Sequence, residues 1–252
     1  MTKKKKMKKT AKVKHERIND ILLGPIERPL IAWFVKILPK WVTPDILTFT
    51  ALFACVVVFF GYYLCKYDKA FLWLASFGLI LNWFGDSLDG SVARYRKIER
   101  PRFGFFIDHT MDAIGIVLIF LGIGCSPYSH FSIAVLPLIG YLMMEVQAIS
   151  SLYVNNVFKI SYGKLGPTEA RAFAVIGNAM LFFLESPSMT LPFGNVFVCD
   201  FVLVILAVVM LTMFIYSVNK VGRKLSREES QRAIQQLNGH IATGMAHNKP
   251  DF

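Results

Sequence analysis

Long apolar runs alternate with short polar segments over most of the chain. Each run is long enough to cross a bilayer as a helix, which takes about 20 residues. Hydrophobic residues make up 54% of the sequence, more than is usual in soluble domains. Thr43 and Pro44 precede the first run in the positions of an N-cap and a first-turn proline. The pattern predicts an all-α integral membrane protein with about six transmembrane helices, at approximately residues 45–65, 70–94, 103–124, 133–154, 167–185 and 196–217.

The two ends of the chain have a different pattern. Residues 18–40 mix apolar side chains with prolines and cations too closely to form a span. Trp33, Phe34 and Trp41 in and beside this segment are residue types that suit the membrane interface, so we expect an amphipathic segment lying on the membrane. The predicted organisation is a basic, disordered tail at 1–17, a membrane domain at 18–217 and a cytoplasmic C-terminal tail at 218–252.

Basic residues add an orientation to this pattern. The net charge is +11, and the loops between the basic segments contain only Lys66 and Lys69 as cations. The positive-inside rule therefore predicts that both termini are cytoplasmic, together with the end of the second run and the start of the third. We expect the lysine-rich N-terminus to contact an anionic leaflet and not nucleic acid. The basic segments are 1–40, 95–102, 155–166 and 218–252.

Four aspartates lie where the second and third runs meet across a basic loop. On helices, Asp86 and Asp89 are three residues apart and Asp108 and Asp112 are four apart, so each pair shares a face. One unpaired intramembrane carboxylate costs roughly 2.5–3.5 kcal/mol, so four together require cations between them. Oxygen ligands alone suit Mg²⁺, Mn²⁺ or Ca²⁺. Such a cage is suited to gripping a pyrophosphate, and one carboxylate can serve as a base.

These aspartates belong to a longer pattern that resembles the signature of the CDP-alcohol phosphotransferase family. The pattern reads Asp86-x2-Asp89-Gly90-x2-Ala93-Arg94-x9-Gly104-x3-Asp108-x3-Asp112. The resemblance implies transfer of a phospho-alcohol unit from a CDP-alcohol to a second alcohol, with release of CMP and with two Mg²⁺ or Mn²⁺ ions. It implies that Asp86, Asp89 and Asp108 hold the metals. Asp112 would complete the second metal site and act as the general base.

The same resemblance implies where the substrates bind. Gly90, Ala93 and Arg94 would line the CDP site, and Gly104 belongs to the same signature. The segment before the first run is similar to a Pro-Asn-x-x-Thr element of the family and here contains Thr43, Pro44, Asp45 and Thr48, with Asp45 in place of the usual asparagine. Pro101 stands where a small hydroxyl residue is common in the family.

The choice of substrates depends on charge around the predicted cytoplasmic mouth. Six basic residues there favour an anionic polar acceptor such as a sugar or polyol phosphate. They are Arg96, Lys97, Arg100, Arg102, Lys164 and Arg171, of which Arg100, Lys164 and Arg171 are the candidate substrate-binding residues. With the small number of spans, this favours CDP-diacylglycerol as donor. Membrane lipids are thus expected partners, and a homodimer is an open alternative by analogy with relatives.

Three other interpretations stay open. Asp108-His109-x-x-Asp112 is similar to the form found in choline and ethanolamine phosphotransferases, which use CDP-choline or CDP-ethanolamine with diacylglycerol. Intramembrane acids also mark ion pathways, so a cation transporter is an alternative of another class. It is less favoured because the aspartates cluster at one end of the spans. A catalytically inactive scaffold is the third, and the intact motif argues against it.

Two acidic residues outside the motif carry separate expectations. Glu145 lies in the middle of the fourth run and is either functional or satisfied by a hydrogen bond to Asn82 or Gln147. Asp200 lies near the outer end of the sixth run, where we expect it to be exposed.

Overall fold

The structure is a computed structural model that describes residues 22–155, 166–184, 188–191 and 194–247. Within these ranges it contains seven helices and one antiparallel hairpin of two strands. The predicted disordered tail at 1–17 lies outside the described residues. In chain order, the elements are α1 (Gly24–Ile37), α2 (Pro44–Leu64), α3 (Phe71–Tyr95), α4 (Pro101–Gly124), α5 (Phe131–Asn155), α6 (Pro167–Leu184), β1 (Ser188–Leu191), β2 (Gly194–Phe197) and α7 (Val198–His247).

Among the described helices, α2, α3, α4, α5 and α7 are long and apolar enough to cross a membrane. The all-α integral membrane fold is therefore confirmed. The predicted fifth run forms α6, which has 18 residues and includes Glu169 and Arg171. Since α6 is not among these five helices, its crossing of the membrane stays a prediction. The predicted sixth run is the first part of α7, which continues without a break across the predicted boundary at residue 217.

Prolines mark the starts of three helices. Pro44, Pro101 and Pro167 are the first residues of α2, α4 and α6, where the missing N–H of proline costs no helical hydrogen bond. Before Pro44, the Thr43 hydroxyl accepts a hydrogen bond from the Ile46 N–H at 3.3 Å. The predicted N-cap is therefore confirmed, and it fixes the start of the first membrane helix.

Small residues allow α2 and α3 to pack very closely. A Cβ atom added at Gly61 of α2 would lie 2.5 Å from the backbone nitrogen of Ala75, and one at Gly85 of α3 would lie 2.6 Å from the Leu47 carbonyl oxygen. Such contacts are the usual means of bringing membrane helices together, because the lipid offers no hydrophobic driving force between them. The close pair positions the end of α3, where the aspartates begin.

The other helices surround this pair. α4 packs on α2, α6 and α1 pack on α3, and α7 packs on α5, which contacts α4. The N-terminal helix α1 is held partly by Phe34, whose ring lies 5.1 Å from that of Phe84 on α3. As a result, α1 and α6 cover surfaces of α3 that α2 does not contact, and the C-terminal end of α3 lies next to the N-terminal end of α4.

The opposite end of the bundle is closed by Asp200, and here the expectation of an exposed residue is wrong. Asp200 is 1% exposed and accepts hydrogen bonds from Ser129 Oγ at 3.0 Å, from the backbone and ring of His130 at 2.9 and 2.7 Å, and from Phe197 N at 3.1 Å. A carboxylate with this many donors is stable when buried. It ties the start of α7 to the loop between α4 and α5.

Candidate active site

Three carboxylates from two helices lie together where α3 ends and α4 begins. Asp86 is on α3, and Asp108 and Asp112 are one turn apart on α4. Each offers one oxygen, and these oxygens all lie within 4.8 Å of one another. Carboxylates this close repel each other when water is partly excluded. The arrangement therefore favours a bound cation.

The fourth predicted ligand, Asp89, lies beside this group and is held by other contacts. Its Oδ2 accepts a hydrogen bond from Thr48 Oγ1 of α2 at 2.7 Å, and its Oδ1 accepts one from the Gly90 N–H. Asp86 and Asp89 line the same cavity, as expected for acids three residues apart on one helix. The structure thus brings three predicted ligands into one cluster and orients the fourth through Thr48.

Arg171 of α6 reaches directly into the cluster. Its Nη2 donates a hydrogen bond to Asp86 Oδ2 at 2.6 Å, and both side chains are largely buried. A guanidinium can make two parallel bonds to a carboxylate or a phosphate, so it is suited to either partner. Arg171 was predicted to bind the acceptor, and its contact with a predicted metal ligand is a finding that the sequence did not indicate.

The predicted Thr43–Thr48 element borders the same cavity through Pro44, Asp45 and Thr48. Asp45 forms an ion pair with Arg100, and about half of each side chain is exposed. Exposed pairs of this kind contribute about 0–1 kcal/mol. Asp45 and Arg100, predicted as separate substrate contacts, therefore meet each other across the mouth of the cavity.

The predicted CDP-binding positions also line the cavity: Gly90, Ala93, Arg94 and Gly104. Arg94 Nη2 donates a hydrogen bond to Ser91 Oγ at 3.0 Å. A Cβ atom at Gly104 would have no described atom within 4 Å. Packing within the described chain therefore does not require glycine there, which is consistent with the close approach of a ligand.

Among the basic residues of the predicted mouth, Arg96 has a structural role. Its guanidinium donates hydrogen bonds to the carbonyl oxygens of Leu38 at 3.1 Å, Pro39 at 2.9 Å and Val42 at 2.6 Å. These bonds attach the linker between α1 and α2 to the end of α3. Lys164, predicted to bind substrate, lies outside the described residues.

Glu145 and His109 approach each other on the α5 and α4 sides of the cavity. His109 Nδ1 lies 3.8 Å from Glu145 Oε1. The suggested partners bond elsewhere: Asn82 donates to the Ala51 carbonyl at 3.0 Å, and Gln147 donates to a serine hydroxyl one turn along α5 at 2.8 Å. Glu145 Oε2 is buried with no hydrogen-bond partner among the described residues.

The cavity that contains all these groups is large and has two kinds of wall. Its volume is about 2420 Å³, whereas sites for small molecules are roughly 300–1,000 Å³. The aspartates lie at its polar end, and apolar residues such as Ile119, Leu203 and Leu206 extend it along the bundle as far as Tyr128 near the opposite end. It has room for a substrate with a charged head and long apolar chains.

One residue of the cavity wall was missed from the sequence. Glu27 of α1 is 8% exposed, lines the cavity and accepts a hydrogen bond from Thr168 of α6 at 3.1 Å. A signal existed, since Glu27 is the only acidic residue between positions 21 and 44. An isolated acid in an otherwise apolar and basic amphipathic segment indicates a specific partner.

Comparison with known proteins agrees with this geometry. The family model for CDP-alcohol phosphatidyltransferase matches residues 41–215, which is more than half of the chain. The chain belongs to the CDP-alcohol phosphatidyltransferase family. The matched region begins before α2 and ends within α7, so it contains every clustered carboxylate and Arg171.

The names of two curated relatives of this chain indicate different substrates. The chain is 35% identical over 83 residues to a phosphatidylinositol phosphate synthase of Cutibacterium acnes, covering 32% of this chain and 37% of the relative. It is 28% identical over 162 residues to cholinephosphotransferase 1 of Gallus gallus, covering 60% of this chain and 46% of the relative. The chain thus spans less than half the length of either relative.

Solved structures share the fold. The chain resembles Mycobacterium tuberculosis phosphatidylinositol phosphate synthase with CDP-DAG bound, with a TM-score of 0.55 and 18% identity over 78% of this chain and 94% of that one. The same enzyme in complex with manganese and citrate gives a TM-score of 0.53 and 19% identity over 79% and 88% of the two chains. At this identity, the likeness concerns the fold alone.

Proposed function

We propose that this protein transfers a phosphatidyl group from CDP-diacylglycerol to a polar alcohol and releases CMP, as a step of phospholipid synthesis. The observation that carries the proposal is the cluster of Asp86, Asp108 and Asp112 within 4.8 Å at the polar end of a long, mainly apolar cavity. A donor of this kind has a pyrophosphate for the carboxylate end and two acyl chains for the apolar end. Membership of the family supports the reaction class.

The carboxylates fit divalent cations. The cluster offers only oxygen ligands, which Mg²⁺ and Mn²⁺ prefer, and Arg171 compensates one of the three carboxylates. Asp86, Asp89, Asp108 and Asp112 would hold two Mg²⁺ or Mn²⁺ ions. When bound, these ions would neutralise the pyrophosphate oxygens and make the phosphorus easier to attack.

The chain's own residues position and activate the reactants. Asp112 takes the proton from the acceptor hydroxyl, whose oxygen forms a bond to the phosphorus that carries diacylglycerol. The bond from that phosphorus to the CMP oxygen breaks, and CMP leaves with the electron pair. Thr48 orients Asp89, and Arg94, beside Gly90 and Ala93, offers its guanidinium to the nucleotide phosphates.

The charge around the cavity mouth supports an anionic acceptor, such as a sugar or polyol phosphate. Arg171 lies inside the cavity and can exchange its carboxylate partner for a phosphate. Arg100 borders the mouth, and Lys164 is the further candidate for acceptor binding. The distribution of basic segments supports a cytoplasmic mouth with both termini on the same side.

A second candidate uses CDP-choline or CDP-ethanolamine with diacylglycerol. The contact between His109 and Glu145 favours it, because it places beside the cluster a carboxylate with one oxygen that has no partner in the described part of the chain, where a cationic head group could bind. The match to cholinephosphotransferase 1 covers the larger share of this chain. The lipid donor remains the main proposal because of the long apolar cavity and Arg171.

Release of CMP separates these proposals. The purified full chain in detergent is given each donor in turn, with Mg²⁺ or Mn²⁺ and a panel of acceptors. We expect CMP from CDP-diacylglycerol with a polar alcohol, and none after removal of the metal by a chelator. CMP formed only from CDP-choline or CDP-ethanolamine with diacylglycerol would reverse the assignment. No CMP with either donor class would favour the cation transporter.

A further inference from the structure

Glu27 is a buried acid on a helix that otherwise suits a membrane surface. The neighbouring α1 side chains Ile26 and Trp33 are 70% and 55% exposed, whereas Glu27 is 8% exposed. Burying a carboxylate is costly unless hydrogen-bond donors replace water. The partners of Glu27 therefore indicate why α1 carries an acid on its inner face.

A single oxygen of Glu27 joins two other helices. Its Oε1 accepts hydrogen bonds from Trp83 Nε1 and Ser87 Oγ of α3, both at 3.0 Å, and from Thr168 Oγ1 of α6 at 3.1 Å. Trp83 and Ser87 are one turn apart on one face of α3. The carboxylate thus lies between α3 and α6 and holds a donor from each.

The same two helices carry the two halves of the ion pair at the candidate active site. Asp86 of α3 precedes Ser87, and Arg171 of α6 lies one turn beyond Thr168. Their side chains meet at 2.6 Å. A change in the separation of α3 and α6 at Glu27 is therefore expected to alter the contact between Asp86 and Arg171.

A second contact attaches α1 to this junction. Glu169 of α6 accepts hydrogen bonds at 2.8 Å from the backbone N–H of Leu23, just before α1, and from that of Gly166, just before α6. Along α1, Val35 is buried in a cluster with Leu88 and Val92 of α3. Because α1 contacts both α3 and α6, Glu27 is not free to move with only one of these two helices.

We propose that Glu27 is a positioning residue that holds α3 and α6 at the separation where Arg171 pairs with Asp86. Through this ion pair, Glu27 influences the affinity for the divalent cation and the affinity for the acceptor. Because both ligands belong to the proposed function, the inference rests on it. With Arg171 in place, part of the negative charge of Asp86 is compensated, which weakens cation binding. The same placement presents the guanidinium to an anionic acceptor, which strengthens acceptor binding.

The proposal predicts effects of opposite sign in Glu27→Ala. Loosening α6 frees Asp86 from Arg171, so the Kd for Mn²⁺ falls, while the acceptor KM rises because the guanidinium is no longer positioned. We expect about fivefold changes in each direction, the lower end of ordinary coupling between sites, with the donor KM nearly unchanged. Glu27→Gln should give smaller changes than Glu27→Ala, because the amide oxygen still accepts these hydrogen bonds, although less strongly than a carboxylate does.

The measurement uses the full chain in lipid nanodiscs. Free Mn²⁺ is quantified by electron paramagnetic resonance, which requires no turnover, and the two KM values come from CMP release. Ile26→Ala is the matched control, since it shortens the exposed neighbour of Glu27, and it should leave all three values unchanged. Arg171→Ala should cause the same two shifts as Glu27→Ala, a lower Kd for Mn²⁺ and a higher acceptor KM. Adding Glu27→Ala to Arg171→Ala should change neither value further.

Two results would overturn the inference. One is a Glu27→Ala protein in which Mn²⁺ binds more weakly and both KM values rise together, as a general loss of structure would cause. The other is unchanged Mn²⁺ and acceptor affinity. If Glu27→Ala does not fold, Thr168→Val removes only the donor from α6, and the same opposite shifts, smaller in size, are required.

Failure of the proposed function would be recognised separately. If the wild-type protein binds no Mn²⁺, the metal part of the proposed function is wrong, and Glu27 is then judged by thermal unfolding. The Tm decreases caused by Glu27→Ala and Arg171→Ala should not add in the double variant, because both remove the same contact between α3 and α6. Additive decreases would overturn the positioning role.

Discussion

Asp86 and Asp89, three residues apart on α3, have their charges compensated in different ways. Asp86 meets a full positive charge, the guanidinium of Arg171 at 2.6 Å. Asp89 is held by neutral donors, Thr48 Oγ1 at 2.7 Å and the Gly90 N–H. A metal ion would compete with Arg171 for Asp86, whereas the hydrogen bonds that orient Asp89 come from neutral groups. The two proposed ligands are therefore expected to respond differently to substitution of their partners.

The first prediction concerns the carboxylates. Replacing any of Asp86, Asp89, Asp108 and Asp112 by alanine should reduce turnover at least about 10³-fold, because each change removes a proposed ligand or the base. Asp112→Asn should keep much of the donor affinity but lose transfer, since an amide ligates weakly and cannot accept the proton. CMP release and binding of the CDP-alcohol are measured on the same preparations.

The control for this series is Asp68→Asn. Asp68 is an exposed aspartate in the turn between α2 and α3, where its side chain accepts a hydrogen bond from the Ala70 N–H at 2.8 Å. Its replacement should leave CMP release unchanged. Near-normal transfer by Asp112→Asn would remove Asp112 from the role of base.

The second prediction tests the orientation of Asp89. Thr48→Val removes the hydroxyl that bonds to Asp89 and should lower kcat/KM about tenfold, the effect of losing roughly 1.4 kcal/mol. Thr50→Val is the matched control on the same helix, because the Thr50 hydroxyl bonds to the Ile46 carbonyl of its own helix at 2.7 Å. Equal effects of the two substitutions on kcat/KM would show that Asp89 does not need Thr48.

At the scale of the elements, α6 is attached to α3 at two levels. Near the aspartates it is joined by Arg171 and by the contact of Thr168 with Glu27. Further along, Asn178 accepts a hydrogen bond from Tyr62 of α2 at 3.0 Å and donates one to Ser76 of α3 at 3.1 Å. Buried polar bridges of this kind give α6 a fixed rotation and depth against α3, which apolar packing alone specifies poorly.

The third prediction tests the deeper bridge. Asn178→Leu removes both hydrogen bonds and should reduce the free energy of unfolding by about 1–2 kcal/mol, since interhelical bonds in membranes contribute about 0.6 and at most 1.7 kcal/mol each. Asn219→Leu on α7 is the control, because Asn219 is exposed and bonds to the Ile215 carbonyl of its own helix. Reversible unfolding in mixed micelles gives both values, and equal stability of the two variants would contradict the bridging role.

At the scale of the whole molecule, the two ends of the helix bundle differ in charge. The basic loop between α3 and α4 lies beside the aspartates, while the turn between α2 and α3 lies at the other end of these helices. If the cavity mouth is cytoplasmic, as the basic segments predict, the polar end of the cavity faces the cytoplasm and its apolar part lies within the bilayer.

The fourth prediction concerns this orientation. In a protein with the four free cysteines replaced, Ile98→Cys should react with an impermeant thiol reagent only from the cytoplasmic side of sealed vesicles. Tyr67→Cys, in the turn between α2 and α3, should react only from the other side. Both positions are exposed, at 50% and 77%, so access is not limited by packing. Labelling of Ile98→Cys from outside would overturn the cytoplasmic mouth.

Much of the architecture follows from the sequence by itself. The lengths and limits of the apolar runs predicted the starts of α2 to α6 to within about two residues, because prolines and the Thr43 cap fix helix starts locally. The spacing of the aspartates predicted the shared faces in the same way, since the period of an α-helix is independent of its surroundings. The hairpin and the length of α7 were not predicted, because their patterns of polar residues are also typical of loops and tails.

What only the tertiary structure decided is which distant residues share the cavity. Arg171 contacts Asp86, which is 85 positions away in the sequence. Glu27 contacts three residues at sequence separations of 56, 60 and 141 positions. A sequence pattern reports the faces of one helix, but the rotation and depth of one helix against another depend on close packing and on buried hydrogen bonds between them. For that reason, the clustering of Asp86, Asp108 and Asp112 could be predicted from the sequence, whereas the partners of Asp86 and Glu27 required the folded bundle.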